Sequence, residues 1–145
     1  MLDDHDGERT FVAIYEAGEE ARAGLLALAA EQHVSAAHFT AVGGFARAVL
    51  GYFDRHTKQY TPIPVDEQVE VLSFIGDVAL KADGSPEVHA HVVVGRADGS
   101  TRGGHLLEGH VWPTLEVMLT DTPQHLRRVY DEASGLALID PQARS

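Results

Sequence analysis

Val88-His89-Ala90-His91-Val92-Val93-Val94-Gly95-Arg96-Ala97-Asp98-Gly99-Ser100-Thr101-Arg102-Gly103-Gly104-His105 decides how this chain folds. The run Val88 to Val94 is apolar apart from its two histidines, and Ala97-Asp98-Gly99-Ser100 is a hairpin turn with Asp-Gly as its signal. Alternate residues of a strand share a face, so His89 and His91 project together. A three-residue loop centred on Asp98 sets His91 opposite His105. A two-residue loop offsets His105 by one position and turns it to the other face, unless Gly103-Gly104 hosts a bulge that restores it. In the first register three imidazoles share one face, with cross-strand Cβ atoms roughly 5 Å apart. A His-x-His pair alone is more often two solvated side chains; His105 in facing register is what points to a metal. His89, His91 and His105 are therefore the expected ligands of one divalent cation. Three His with an open fourth position is the donor set of a catalytic-type zinc centre, so zinc is the expected ion.

On either side of this hairpin the chain alternates between strand and turn. Residues 9–16 have strand alternation. Gly18-Glu19-Glu20 resembles a helix start with Gly18 as cap and acids on the positive end of the dipole. Ala21 to His33 carries Leu25, Leu26, Leu28 and Ala29 at helical spacing. Ala36 to Asp54 holds Phe39, Val42, Phe45, Val49, Leu50, Tyr52 and Phe53 around Gly43-Gly44: two strands meeting at the glycines, or one long strand with a bulge. Thr61-Pro62-Ile63-Pro64 breaks the pattern. Val65 to Leu80 resumes as strand, and Lys81 to Pro86 is a turn. Leu106 to Thr120 is a strand pair or one bent strand, interrupted at Pro113. Thr122-Pro123-Gln124 opens a short helix with Leu126, Val129 and Tyr130 on one side, and Gly135 to Asp140 adds a last strand.

The expected fold is α+β (mixed α/β): a single mixed, largely antiparallel sheet of about seven strands with one long and one short helix. The 145 residues form one domain with a single core, ordered over about 10–140. One helix cannot cover both faces of such a sheet, and the uncovered apolar face invites another subunit.

Composition narrows the function classes. Hydrophobic content of 44% and charged content of 23% are those of a globular protein. No apolar run approaches 18 residues, so no membrane span is expected. The acidic start Met1-Leu2-Asp3-Asp4-His5-Asp6 has no basic-then-apolar signal pattern, which makes a cytoplasmic address the default. With no cysteine, a metal must be held by His, Asp or Glu. A net charge of −11 opposes binding to phosphate backbones, which takes clustered Lys and Arg. Glu70, Glu87, Glu108 and Glu116 are candidate acid–base or supporting groups. Glu87 shares a face with His89. Arg102 is a candidate for an anionic ligand. His110, five residues beyond His105, shares neither its spacing nor an evident face and is read as a surface residue; His38 and His56 are read as structural or solvated rather than as ligands.

Several motifs in fixed order resemble the PPC domain, a family shared by plants and prokaryotes and long of unknown function. They are Phe39-Thr40-Ala41-Val42-Gly43-Gly44-Phe45, Leu50-Gly51-Tyr52-Phe53-Asp54, Pro64 to Ser73, and Ile75-Gly76-Asp77. Val88-His89-Ala90-His91-Val92, Gly103-Gly104-His105-Leu106-Leu107-Glu108 and Pro113-Thr114-Leu115-Glu116-Val117 complete the set. The resemblance spans about residues 10–140. It implies a homotrimer, and in prokaryotic members it implies a metal, usually zinc, on the residues matching His89, His91 and His105. Plant relatives act on DNA through an Arg-Gly-Arg-Pro AT-hook outside this domain, and prokaryotic relatives carry a DNA-binding label by association. This chain has no Arg-Gly-Arg-Pro motif. The expected function is thus a homotrimeric metal-binding domain, acting as a metal-dependent enzyme or a small-molecule binder, with a DNA-binding regulator or a purely structural metal site as alternatives. Neither substrate nor reaction is named by the sequence.

Overall fold

The computed structural model describes residues 7–122 and 126–142. Its elements are β1 (Arg9–Glu16), α1 (Ala21–Glu31), β2 (Ala36–Asp54), β3 (Gln59–Val65), β4 (Val69–Leu80), β5 (Pro86–Gly95), β6 (Thr101–Asp121), β7 (Arg128–Asp131) and β8 (Leu136–Ile139). The six-stranded sheet has the order β1-β6-β5-β4-β2-β3, with a further pairing of β6 to β2. β7 and β8 form a separate two-stranded hairpin. Every ladder is antiparallel; the one parallel pairing is an isolated bridge between Leu80 and Arg127. The sheet is therefore less mixed than expected.

The long strands β2 and β6 bend, so their two halves serve different neighbours. Residues 36–45 of β2 pair with β4, and residues 48–54 pair with β3. Residues 101–105 of β6 pair with β5, and residues 114–121 pair with β1. The pairings β6–β5, β5–β4, β4–β2 and β2–β6 thereby close a circuit. Gly43 and Gly44 stand at register slips of β2 against β4 and β6. An added Cβ at Gly43 would come 2.1 Å from the Thr114 carbonyl oxygen, and one at Gly44 would come 2.5 Å from that of Trp112. Between Gly43↔Leu115 and Phe45↔Val111 the register slips, leaving Pro113 in a bulge where its missing N–H interrupts no ladder. The region Ala36–Asp54 is thus one strand with a bulge, and Thr101–Asp121 is one bent strand.

Alternation sorts the side chains. Val88, Ala90, Val92 and Val94 of β5 and Leu115, Val117 and Leu119 of β6 are buried, together with Phe39, Phe45 and Phe74. Phe39 and Phe74 pack with ring centroids 5.7 Å apart. Helix α1 adds Ala21, Leu25 and Ala29 to the same core. Each large apolar side chain buried this way contributes about 1.5–3 kcal/mol. The intervening residues lie on the outer face of the sheet, and His89 and His91 are among them.

Three expectations change. The cap of α1 is Glu20 rather than Gly18: its carboxylate accepts from the N–H groups of Arg22 (3.1 Å), Ala23 (2.7 Å) and also Gly109 (2.9 Å), tying the helix start to β6. Gly18 instead supplies a left-handed turn with φ of 92°. Pro62 and Pro64 lie within β3, an edge strand paired to β2 alone, where a missing N–H is tolerated. The short helix expected after Thr122 is not found among the described residues. Residues 123–125 lie outside the described residues, and Val129 and Tyr130 belong to β7, paired across the Gly135 turn with Leu138 and Ala137. β-branched and aromatic neighbours favour that strand. α1 is the sole helix among the described residues, and it is neither long nor apolar enough to cross a membrane.

Candidate metal centre

The β5–β6 hairpin has the three-residue loop. Arg96 N–H donates to the Ser100 carbonyl at 2.8 Å, and Gly99 N–H donates back to Arg96 at 2.9 Å, with Gly99 at φ 82°. The Asp98 carboxylate accepts from the Ser100 N–H at 2.9 Å and pins the turn. This geometry fixes His91 opposite His105. The rings of His89, His91 and His105 gather with centroids 4.8, 5.2 and 5.9 Å apart. One ring nitrogen from each lies within 4.8 Å of the others. No other group of three or more such donors forms among the described residues.

Two of the donors are in the state a cation needs. His105 Nδ1 is buried with no hydrogen-bond partner. An unpaired buried ring nitrogen is costly unless something binds it. Burial, followed by the neighbouring His89, His91 and Arg22, pushes the His105 pKa down to about 4. Burial and His89 likewise lower His91, against the pull of Asp77. Both rings are therefore neutral near pH 7 and offer lone pairs. The Tyr60 ring packs against His105 with centroids 4.6 Å apart and the planes tilted by 31°.

Asp77, Arg128 and Glu87 support the trio. Asp77 stands opposite His89 in the β4–β5 ladder, with its Oδ2 3.6 Å from His89 Nδ1. That contact leaves His89 Nε2 free for a cation. Burial raises the Asp77 carboxyl, but His89 and Arg128 outweigh it and hold the group below its usual range. The buried Arg128 guanidinium donates to Asp77, and its Nε lies 3.4 Å from Glu87. Glu87 thus reaches the site's flank as an ion-pair partner.

The other expected groups lie elsewhere. Glu70 is exposed between Gly44 and Gly95. Glu108 faces Arg47 at 3.8 Å and His110 at 3.4 Å, and Glu116 is exposed between Ile14 and Val42. Arg102 is exposed opposite Val94. His110 stays outside the trio. His38 is exposed opposite Asp77 and borders a shallow concavity shared with His89 and His91. Sequence reasoning missed Asp77, Arg128 and Tyr60. For Asp77 a signal existed: the turn Lys81–Ser85 centred on Asp83 sets 77 opposite 89, by the same arithmetic that sets 91 opposite 105.

The model of the Plants and Prokaryotes Conserved (PCC) domain matches residues 3–123. The chain belongs to this family. Among solved structures, a metal-containing protein of Archaeoglobus fulgidus is 32% identical, with a TM-score of 0.85 and coverage of 91% of this chain and 93% of that one. A plant- and prokaryote-conserved protein of Pyrococcus horikoshii is 34% identical, with a TM-score of 0.85 and 91% coverage of both chains. A protein of Ralstonia eutropha provisionally described as DNA-binding is 29% identical, with a TM-score of 0.83 and 89% coverage of both. The PCC chain also aligns with the bifunctional protein GlmU of a Synechococcus strain, at 33% identity over 121 residues. That match takes in 81% of this chain but 18% of the relative's length. The β7–β8 hairpin, which brings Arg128 to the centre, lies beyond the part of the chain that the PCC model matches.

Proposed function

We propose that this PCC protein is a homotrimer that binds one zinc ion per chain on His89, His91 and His105 and uses the open coordination position to take up a small molecule. The observation that carries this reading is the convergence of one ring nitrogen from each of three histidines within 4.8 Å. A metal-containing relative at 32% identity supports it. When bound, a cation on three imidazoles supplies Lewis acidity and a vacant position. The chain's own part is to keep two of those rings neutral, orient His89 through Asp77 and hold His105 against Tyr60. A purely structural site is less favoured, because a closed centre takes four protein donors and three converge among the described residues. Elemental analysis of protein purified without a histidine tag tests the reading: one equivalent of zinc per chain is expected, and absence of any tightly held metal after loading and dialysis overturns it.

The Asp77 contact gives a graded test. Asp77→Asn keeps the shape of the side chain but weakens the polarisation of His89. Equilibrium dialysis should show zinc affinity reduced by about 10–100-fold with saturation still at one equivalent. Unchanged affinity would remove Asp77 from the centre.

The trimer reading rests on the outer face. Val12, Met118, Thr40 and Ile75 form one cross-strand row through β1, β6, β2 and β4, ending at His91. Val12 is 61% and Met118 53% exposed, and Ile14 and Val42 extend the patch. Apolar patches of this kind mark interfaces, and a cyclic arrangement would place the seams beside the metal centre. Sedimentation equilibrium should give three times the monomer mass at micromolar concentration; a monomer there refutes the assembly.

DNA binding is the weaker reading despite the description of the Ralstonia relative. At a net charge of −11, tripled in a trimer, the protein repels the duplex. Titration of labelled duplex at about 150 mM salt should show no saturable binding below about 1 μM. Tight binding that weakens steeply with salt would reverse the order of the two readings.

A further inference from the structure

We infer that the small molecule taken by this centre is an oxygen-donor compound carrying one ring-sized apolar group, seated with its donor toward the histidines and its apolar end against Tyr52, Phe53, Ile75, Val93 and Leu136. The inference rests on the metal reading above and adds the chemistry of the occupant.

Besides the shallow concavity bordered by His38, two further concavities meet at the trio. The larger, about 700 Å³, takes in His89, His91 and His105 at one end. Its remaining lining is Tyr52, Phe53, Tyr60, Ile75, Val92, Val93 and Leu136, with Ser73 and three glycines. No Asp, Glu, Lys or Arg is among these residues. The smaller, about 450 Å³, holds the charges: Arg22, Glu87 and Arg128. There Arg128 is already engaged by Asp77 and Glu87.

The larger concavity decides the occupant's class in three ways. The donor group among the described residues is three histidines with no carboxylate, which leaves a position that an occupant's own donor atom can take. An oxygen donor suits a divalent cation of this type. The wall beyond is aromatic and continuous: Tyr60 lies on His105 at 4.6 Å, and Phe53 meets Tyr60 edge-on at 5.2 Å. A ring entering beside them finds offset or edge contacts already set out. A multiply charged group in the same place would lose hydration against Ile75, Val93 and Leu136 with no cation to offset it.

Gly103 shows that the space is open rather than packed. An added Cβ there meets only the Val92 carbonyl oxygen and Val93 Cγ2, each at 3.5 Å, an ordinary contact. At the neighbouring Gly104 the added atom would strike the Gly51 carbonyl oxygen at 2.7 Å. The first glycine leaves room for a ligand; the second lets two strands approach. The volume is within the range of about 300–1,000 Å³ typical of small-molecule sites.

The test compares two probes with the same chelating head. Tag-free protein is loaded with Co²⁺, and its visible absorption bands are followed during titration with acetohydroxamate and with benzohydroxamate. The ring should tighten binding by about 10-fold or more, the scale of burying one aromatic group. Gly103→Leu should keep one Co²⁺ per chain and its acetohydroxamate affinity while reducing the ring's advantage to less than about 3-fold. Equal affinity of the two probes for the unmodified protein overturns the inference, as does a ring advantage that survives Gly103→Leu with cobalt still bound. Exclusion of benzohydroxamate alone would show that a second copy of the chain fills the concavity, which also overturns it. Failure to take up Co²⁺ at all is seen before any probe is added and defeats the metal reading itself. The comparison on the unmodified protein stands whether or not the variant folds.

Discussion

If the proposed zinc centre is right, replacing His89 with alanine should lower zinc affinity by roughly 100-fold or more, because two donors and solvent cannot replace three imidazoles. The fold should survive. The His89 side chain is 38% exposed on the outer face, and the apolar residues flanking it, Val88 and Ala90, stay in the core. Thermal unfolding of the metal-free variant should match the metal-free parent within about 1 kcal/mol, as for most partly exposed positions. The comparison must be made without metal, since a bound cation stabilises the folded state in proportion to its own affinity. Elemental analysis after dialysis decides the matter: a full equivalent of zinc retained by His89→Ala would show that the ion, if present, lies elsewhere.

Gly76→Ala should be the most destabilising single methyl addition near the site. The added Cβ would lie 2.3 Å from the His89 carbonyl oxygen and 2.4 Å from Phe39 Cζ. Neither neighbour can step aside cheaply. The carbonyl belongs to the β4–β5 ladder, where Gly76 faces Ala90, and Phe39 is 1% exposed against Phe74. Overpacking of this kind costs about 3 kcal/mol. Because the strand must shift at His89 to make room, zinc affinity should fall along with stability. Urea denaturation measures the first effect and equilibrium dialysis the second. Gly103→Ala is the control, with its nearest contacts at 3.5 Å; it should change stability by less than about 1 kcal/mol. A Gly76→Ala protein as stable as that control would mean the ladder is looser here than the contacts indicate.

The site was more legible in the sequence than the frame that holds it. Asp98-Gly99 is a strong turn signal, and counting outward from it places His91 against His105 without knowledge of the rest. Asp77 was open to the same count from Asp83 but was passed over, because a lone aspartate in an apolar strand draws no attention until its partner is known. The closure of the sheet could not be read in this way. Alternation reports which face a residue takes, not which distant strand it meets, so nothing in Ala36–Asp54 announces pairing with both β4 and β6. The prolines misled for a related reason: Pro62 and Pro64 exclude a central strand but not an edge one. Val129-Tyr130 was drawn into a helical reading by the Thr-Pro-Gln before it, whereas its partner Ala137-Leu138 lay past a glycine turn. Tyr60 and Arg128 reach the centre through tertiary packing from edge and terminal elements, which local pattern does not encode.

The tight β5–β6 loop also bears on the order of events as the chain is made. All three ligands lie within residues 89–105 and are joined by a turn of three residues, so little chain entropy opposes their meeting. The surrounding frame depends on partners such as Arg9 with Asp121 and Ala37 with Asp121, far apart along the chain, which are slow to find each other. A nascent polypeptide released as far as residue 105 already owns the complete donor set, while the strand segment that closes the circuit is still unsynthesised. On the proposed metal reading, the hairpin could therefore meet its ion before the later, long-range strands are in place.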